Sequence, residues 1–417
     1  MISLDKAVQV ILSDLAPLEL ETIPIEQAHG RILGKTIKSD TDIPKFNQAA
    51  IDGYALNASE TSKIARNKPS VFKLAGESKP GKPFLKSHKR GEAIKVSAGV
   101  RLPEGYDSVV KYEDVARPES SKLNVYTQVQ TWRNVIRAGR EISAGDSIMP
   151  AGRILNAADV ARLLEVGSTE IEVYKKPRVG LISVGDEFLS DYEEEKNPSI
   201  SRNQFVGSII SETGGEFVYL GACTNSLEQL EEKLSDTEGC DNVIIMANQS
   251  IDHYNFLKTA FRELKMDLKF WRVAIKPGKS VLFGVRDSKP VFGISGNLWA
   301  TVVVLDLLVK PLLAVQSGLS DGRKLEVIAR LTRELRTNPA MTQIFKAIVR
   351  IEPNGLAVTP ILDKSLGELR TLSMANGYII VPPQTSNIRA GEKVRVEVFG
   401  PLEQSKSLKS ENRSFTE

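Results

Sequence analysis

Apolar residues at positions 4, 8, 11, 12 and 15 recur at helical spacing and predict a first helix. Residues 20–25 then alternate apolar and polar, as a half-buried strand does. From 43 to 140 the pattern breaks into short apolar runs, such as 93–96 and 108–112, set between glycines and prolines. That punctuation predicts a β-rich region. A second helical stripe at 157–165 ends at Gly167, which is placed as a C′ glycine.

Beyond Arg178 the rhythm alternates strand and helix. Apolar runs at 179–184, 217–220, 243–246 and 270–275 predict strands, and the patterns at 207–212, 226–234 and 254–264 predict helices. Ser226 and Gln229 have the spacing of a capping box. Runs at 281–285 and 290–294 predict a hairpin around Asp287 and Ser288. The apolar stretch 298–319 is long enough to span a membrane, but it carries Asp306 and Lys310 one turn apart and then Pro311. A buried helix is the expectation. This alternation is that of an α/β domain with a largely parallel sheet. Residues 316–324 read as a linker. Short strands follow over 325–400, with expected turns at Asn354-Gly355, Asn376-Gly377 and Ala390-Gly391. The polar stretch 403–417 is expected to be a disordered tail.

Composition narrows the function classes. The 417 residues are 41% hydrophobic and 26% charged, and Lys+Arg exceed Asp+Glu by only 55 − 52 = 3. No nucleic acid and no membrane is expected as a partner. Asp5, Lys6 and Asp14 interrupt any signal-peptide core. Cys223 and Cys240 form no CxxC, so zinc and redox motifs lack support and a reduced cytoplasmic compartment is expected. His29, His88 and His253 stand in no triad-like context.

Open α/β sheets bind ligands outside the carboxyl ends of their strands. Three such ends are polar here. Gly185-Asp186-Glu187 offers two adjacent carboxylates, which suit Mg²⁺ or merely cap a helix. Lys276-Pro277-Gly278-Lys279 sets two lysines about a rigid turn, which suits phosphate oxygens or a surface hairpin. Ser295-Gly296-Asn297 opens a long helix, as an anion site or as a plain N-cap. Together they suggest a phosphorylated ligand with a divalent ion. The basic segment 79–90, the Asp52-Gly53 turn and Gly139-Arg140-Glu141 gain no role from spacing alone.

Taken in order, the motifs resemble the molybdopterin molybdenumtransferases, the family of bacterial MoeA and the gephyrin E domain. The carriers span about residues 3–400. They are Asn47-Gln48-Ala49-Ala50-Ile51-Asp52-Gly53-Tyr54-Ala55, Leu102-Pro103-Glu104-Gly105 with Val109-Val110, and Asn134-Val135 with Ala138-Gly139. Ser183 to Glu187, Lys276 to Lys279, Gly293 to Asn297, Ser365 to Gly367 and Ala375-Asn376-Gly377 complete the set. The resemblance implies a fold of the α/β plus β class: a multidomain, elongated subunit with a central α/β molybdopterin-binding domain and a small C-terminal β domain. Its parts would be 1–42 with 141–176 (a discontinuous linker and dimerisation domain), 43–140 (β-rich), 177–320 (α/β), 325–402 (β) and the 403–417 tail. It further implies a homodimer that takes adenylylated molybdopterin, uses Mg²⁺ and molybdate, and releases AMP as molybdenum enters the dithiolene.

By position the resemblance assigns Asp52, Glu187 and Glu141 as catalytic acids. Lys276, Lys279, Gly296, Asn297, Ser250 and Ser365 would bind substrate, and Asp52, Asp186, Glu187 and Asp252 would hold the metal. The chain departs from the family inside these motifs. Ala98 replaces a threonine, Arg140-Glu141 replace Glu-Asp, and Asn225 replaces an aspartate. In 246–255 two glycines and two acids are lost, with Ala247, Asn248, His253 and Asn255 in their places and Asp252 one position off. Leu298 replaces a proline. Fewer carboxylates mean weaker hard-cation binding. The functions to weigh are molybdenum insertion with a rebuilt cleft, a catalytically impaired paralogue acting as a pterin-binding or scaffold protein, and an enzyme acting on another phosphorylated ligand such as a nucleotide.

Overall fold

Ser3 caps the first helix, Leu4–Leu12, by accepting from the Lys6 N–H, and the apolar stripe buries Ala7 and Ile11. In this computed structural model the described residues are 1–62, 69–189, 198–247, 251–319, 326–363 and 365–404. They form two compact units. One comprises Thr22–His29 and Leu33–Glu172; the other comprises Met1–Glu21, Gly30–Ile32 and Val173–Glu417.

The first of these carries a six-stranded sheet in the order Ser108–Val110, Gly53–Leu56, Glu92–Val96, Ser70–Ser78, Lys122–Val125, Val115–Glu119. Gly53 is obligatory there, since a Cβ would fall 2.1 Å from the Val110 carbonyl oxygen. The helix Ala157–Glu165 has the bounds its stripe predicts. Gly167, at φ +90°, ends it with the paired bonds Gly167 N–H to Leu164 O and Ser168 N–H to Leu163 O.

The second unit holds the doubly wound domain. Its sheet runs Glu216–Cys223, Arg178–Val184, Asn242–Ala247, Lys289–Ser295, Leu282–Arg286, Asp267–Phe270, and the first four strands are parallel. Val179, Leu181, Ile244 and Met246 face one core, while Ile182, Val184, Val243 and Ile245 face another. Strand residues buried on both faces explain the unbroken apolar runs. The hairpin turn forms at Asp287 and Ser288, both at positive φ. The helix Leu298–Gln316 is long and apolar enough to cross a membrane, yet most of it is buried in the protein. It carries a π-turn at Leu305–Val309.

Beyond it five strands close into a small barrel. Thr342–Glu352, Gly355–Pro360, Glu326–Leu331, Lys393–Val398 and Gly377–Val381 pair in that order, and the last pairs back onto the first.

Four local expectations need correction. The strand expected over 270–275 is two pieces. Asp267–Phe270 stays in the α/β sheet, and Ile275–Lys276 crosses to pair with Thr342 and Gln343 of the barrel. The Ser226–Gln229 box is half made: Ser226 caps, but the Gln229 side chain turns to the Thr224 N–H and hydroxyl. Asn376-Gly377 is no turn, because Asn376 is buried and its amide is bonded to Val349 N and O and to Pro401 O. Glu403–Gln404, expected in the tail, pairs with Arg350 and Ile351. The rest of the tail lies outside the described residues.

That amide gives a stability test. Asn376→Ala orphans buried backbone groups at Val349 and should cost about 2–3 kcal/mol. Urea unfolding followed by circular dichroism measures the loss, and a midpoint equal to wild type would refute the role.

Candidate functional site

Connections from Arg178–Val184 run to one side of the sheet, and those returning to Asn242–Ala247 run to the other. The switch point therefore lies between these two strands. Val184 pairs with Ala247 and Ala247 with Ser295, so three strand ends are level. Gly185 (φ +142°) turns the chain, its N–H bonded to Cys223 O, and Asp186 projects to solvent while Phe188 anchors the turn in the core. Gly296 N–H donates to Ala247 O at 2.6 Å. The side chains of Glu187 and Asp252, and all of Ser250, lie outside the described residues.

Asn297 does what the plainer sequence reading allows. Its Oδ1 accepts from Ala300 N–H at 2.8 Å as the N-cap of the long helix. Its Nδ2 lies 3.4 Å from Glu368 Oε2, at a cavity of about 710 Å³. Lys276, Pro277 and Trp299 line one side of this cavity, and Arg336, Lys346 and Thr371 line the barrel side. Three cations therefore meet two carboxylates, Asp363 and Glu368, on its walls.

Lys276 reaches the cavity because its strand has left the α/β sheet for the barrel. Gly278 (φ +95°) makes the following turn, where a Cβ would meet Val304 at 3.0 Å and Ile275 at 3.1 Å. Lys279 is exposed and is not among the lining residues. Ser365 is also exposed; its hydroxyl and N–H both bond Asp363 Oδ1, which holds that carboxyl below its usual range.

Lys346 is the residue that sequence reasoning missed. Its ammonium bonds Thr371 Oγ1 at 2.5 Å and sits 5.6 Å above the Trp299 ring. Burial pushes its pKa below the usual value, against the opposing pull of Glu368. A lysine in an alternating strand gives no sequence signal. Only the pairing of distant segments shows it beside Lys276.

Asp52 and Glu141 belong to the other compact unit. Asp52 is exposed and accepts from Ala98 N–H at 2.8 Å, so its carboxylate braces the turn where the family threonine is missing. Glu141 is exposed, with its N–H bonded to Ile43 O. Asn47 and Asn134, carriers of the family pattern, bond backbone at Ala138 and Val109. Among the described residues no three His, Cys, Asp or Glu come together as a metal site. Of the four acids assigned to a metal, Glu187 and Asp252 have side chains outside the described residues, and Asp52 and Asp186 belong to different compact units.

Fold and cavity define a multidomain protein in which a doubly wound ligand domain is joined to a small barrel. Comparison with known proteins gives the family. Residues 2–167 match the MoeA N-terminal region (domain I and II), 180–315 the probable molybdopterin binding domain, and 328–399 the MoeA C-terminal region (domain IV). The molybdopterin molybdenumtransferase of Bacillus subtilis is 27% identical over 405 residues, covering 95% of this chain and 93% of its own. That of Haemophilus influenzae is 26% identical over 408 residues, 96% of this chain and 100% of its own. A crystal structure of the molybdopterin biosynthesis MoeA protein of Pyrococcus horikoshii superposes with a TM-score of 0.78 at 27% identity, over 96% of this chain and 100% of that one. The chain belongs to the MoeA family as a divergent member.

Lys346 supplies a pH test. Anion affinity needs the charged ammonium, and a depressed pKa neutralises it at lower pH than an ordinary lysine. Affinity for inorganic molybdate should therefore fall as pH rises, beginning below the usual 10.5. Lys346→Arg should flatten that profile, and Lys346→Ala should weaken binding about ten- to hundredfold, the equivalent of one charge-assisted contact of about 1.5–3 kcal/mol. Calorimetry across pH checks both.

Proposed function

We propose that this chain is a molybdopterin molybdenumtransferase of molybdenum cofactor biosynthesis, acting on adenylylated molybdopterin and molybdate with release of AMP. The observation that carries the reading is the cation-lined cavity where Lys276 and Lys346 converge in a MoeA-family fold. Molybdate is a compact dianion, and two ammonium groups with the Arg336 guanidinium match its charge and its oxygen acceptors. Asp363 and Glu368 offset part of that positive charge. In the insertion two sulfur–molybdenum bonds form, and one molybdate oxygen departs as water with the two thiol protons. Hydrolysis of the phosphoanhydride frees AMP. The protein's part is to hold the anion and to orient the pterin against it.

The parts that rest on family resemblance belong to the same proposal. They are the division into 1–42 with 141–176, 43–140, 177–320 and 325–402, a cytoplasmic setting, and a homodimer whose second copy brings Asp52 to Glu187. Lys279 and Ser365 lie near the phosphate end in this reading. Magnesium enters only as an expected requirement of turnover, to be set by titration.

Complementation of a strain lacking its own molybdenumtransferase, scored by nitrate reductase activity, is the deciding experiment. Restored activity, lost in Lys276→Ala, supports the enzyme. Pterin binding by calorimetry without complementation would favour the pterin-binding or scaffold reading, which the substitutions at Ala98 and Asn225 recommend. Light scattering should give about twice the 45.8 kDa chain mass. A species of one chain at micromolar concentration would sink the dimer.

A further inference from the structure

Lys346, Tyr378 and Glu397 form a row across three adjacent barrel strands. Lys346 pairs directly with Tyr378, and Tyr378 pairs with Glu397. Direct cross-strand partners project from the same face, so the three side chains lie side by side. Tyr378 is 1% exposed and Glu397 7%. The Tyr378 hydroxyl bonds Glu397 Oε2 at 2.5 Å and also bonds Asp306. Burial, with the two facing carboxyls, pushes the phenol far above its usual pKa, so it stays a donor.

Asp306 lies in the π-turn of the long helix, 3.6 Å from the Lys310 ammonium. Trp299 is seven residues earlier on that helix, hence on the same face. Its ring meets the Tyr378 ring edge-on at a centroid distance of 6.1 Å, and the Lys346 ammonium covers it at 5.6 Å. Tyr378 therefore touches Trp299, the ring that Lys346 covers, and is itself tied to the helix through Asp306 and to the barrel through Glu397. A π-turn is an uncommon way to wind a helix and often marks a functional position.

We propose that Tyr378, bound to Asp306 and Glu397, is a positioning residue that holds Trp299 and the Lys346 ammonium in place for anion binding. This rests on the reading of the cavity as the anion site. It adds that the site is set by a buried polar lock between helix and barrel that touches no substrate.

The test compares the full-length wild type with Tyr378→Phe, Asp306→Asn and Glu397→Gln. Two readouts are needed: molybdate affinity by calorimetry, and the titration of Lys346 followed by NMR after reductive ¹³C-methylation. Tyr378→Phe keeps the ring and loses the hydroxyl. It should weaken molybdate binding about tenfold and move the Lys346 titration up toward that of a solvated lysine. Asp306→Asn and Glu397→Gln keep acceptors for the hydroxyl and should stay within about twofold of wild type. Should Tyr378→Phe fail to fold, Asp306→Ala serves instead, with a loss of about threefold expected. A Tyr378→Phe variant, or Asp306→Ala in its place, that melts earlier but keeps wild-type affinity and titration would overturn the proposal. If wild type binds no molybdate, the anion-site reading fails by itself. An unmoved Lys346 titration in the variants would then overturn the positioning role as well.

Discussion

One apolar helix has to be buried on nearly all sides, and the second compact unit is organised around that requirement. Leu298–Gln316 puts Val303, Val304, Leu308, Leu312 and Leu313 into a single core cluster. No one partner could cover such a helix. The same cluster takes Ala7 and Ile11 from the first helix, Val179, Leu181, Ile244 and Met246 from the sheet, and Ile344 and Tyr378 from the barrel. Each fully buried large side chain is worth about 1.5–3 kcal/mol. Docking the barrel therefore completes the core and is not an optional contact.

That docking builds the cavity. The first turn of the helix brings Trp299 to its wall, with Asn297 behind it bonded to Glu368, and the barrel brings Lys346, Thr371 and Glu368. The strand Ile275–Lys276 joins the barrel sheet and carries Lys276 with it. Burying cations is costly unless they find partners. Lys346 meets the cost with Thr371, the Trp299 face and the nearby Glu368 carboxylate, and its lowered pKa records the remainder. In the proposed function a bound dianion would offset that uncompensated charge.

Much of this was legible in the residues and much was not, for physical reasons. Periodicity placed the helix at 157–165, the parallel strands and the Asp287-Ser288 hairpin, because burial on defined faces writes itself into local spacing. It failed at 270–275, where one apolar run serves two sheets, and at Asn376-Gly377, where a turn-forming pair is used to brace buried backbone. Asn297 was readable as a cap or as an anion ligand, and the geometry favours the cap. Lys346 carried no signal at all. Its role depends on Tyr378 and Trp299, which are 32 residues downstream and 47 upstream in the chain.

The family motifs also divide by what they do. Gly53, Asn47, Asn134 and Gly278 meet steric or backbone hydrogen-bond demands of the fold, so their presence speaks for the architecture. Asp52 braces Ala98, which links a motif acid to a position where a hydroxyl has been lost. Lys276 and Lys346 are different, because they set two ammonium groups on the walls of one cavity. Lys346 carries its charge against the cost of burial, beside Lys276 and Arg336 in the lining of the same cavity, and that clustering of cations is the feature on which the proposed anion site rests.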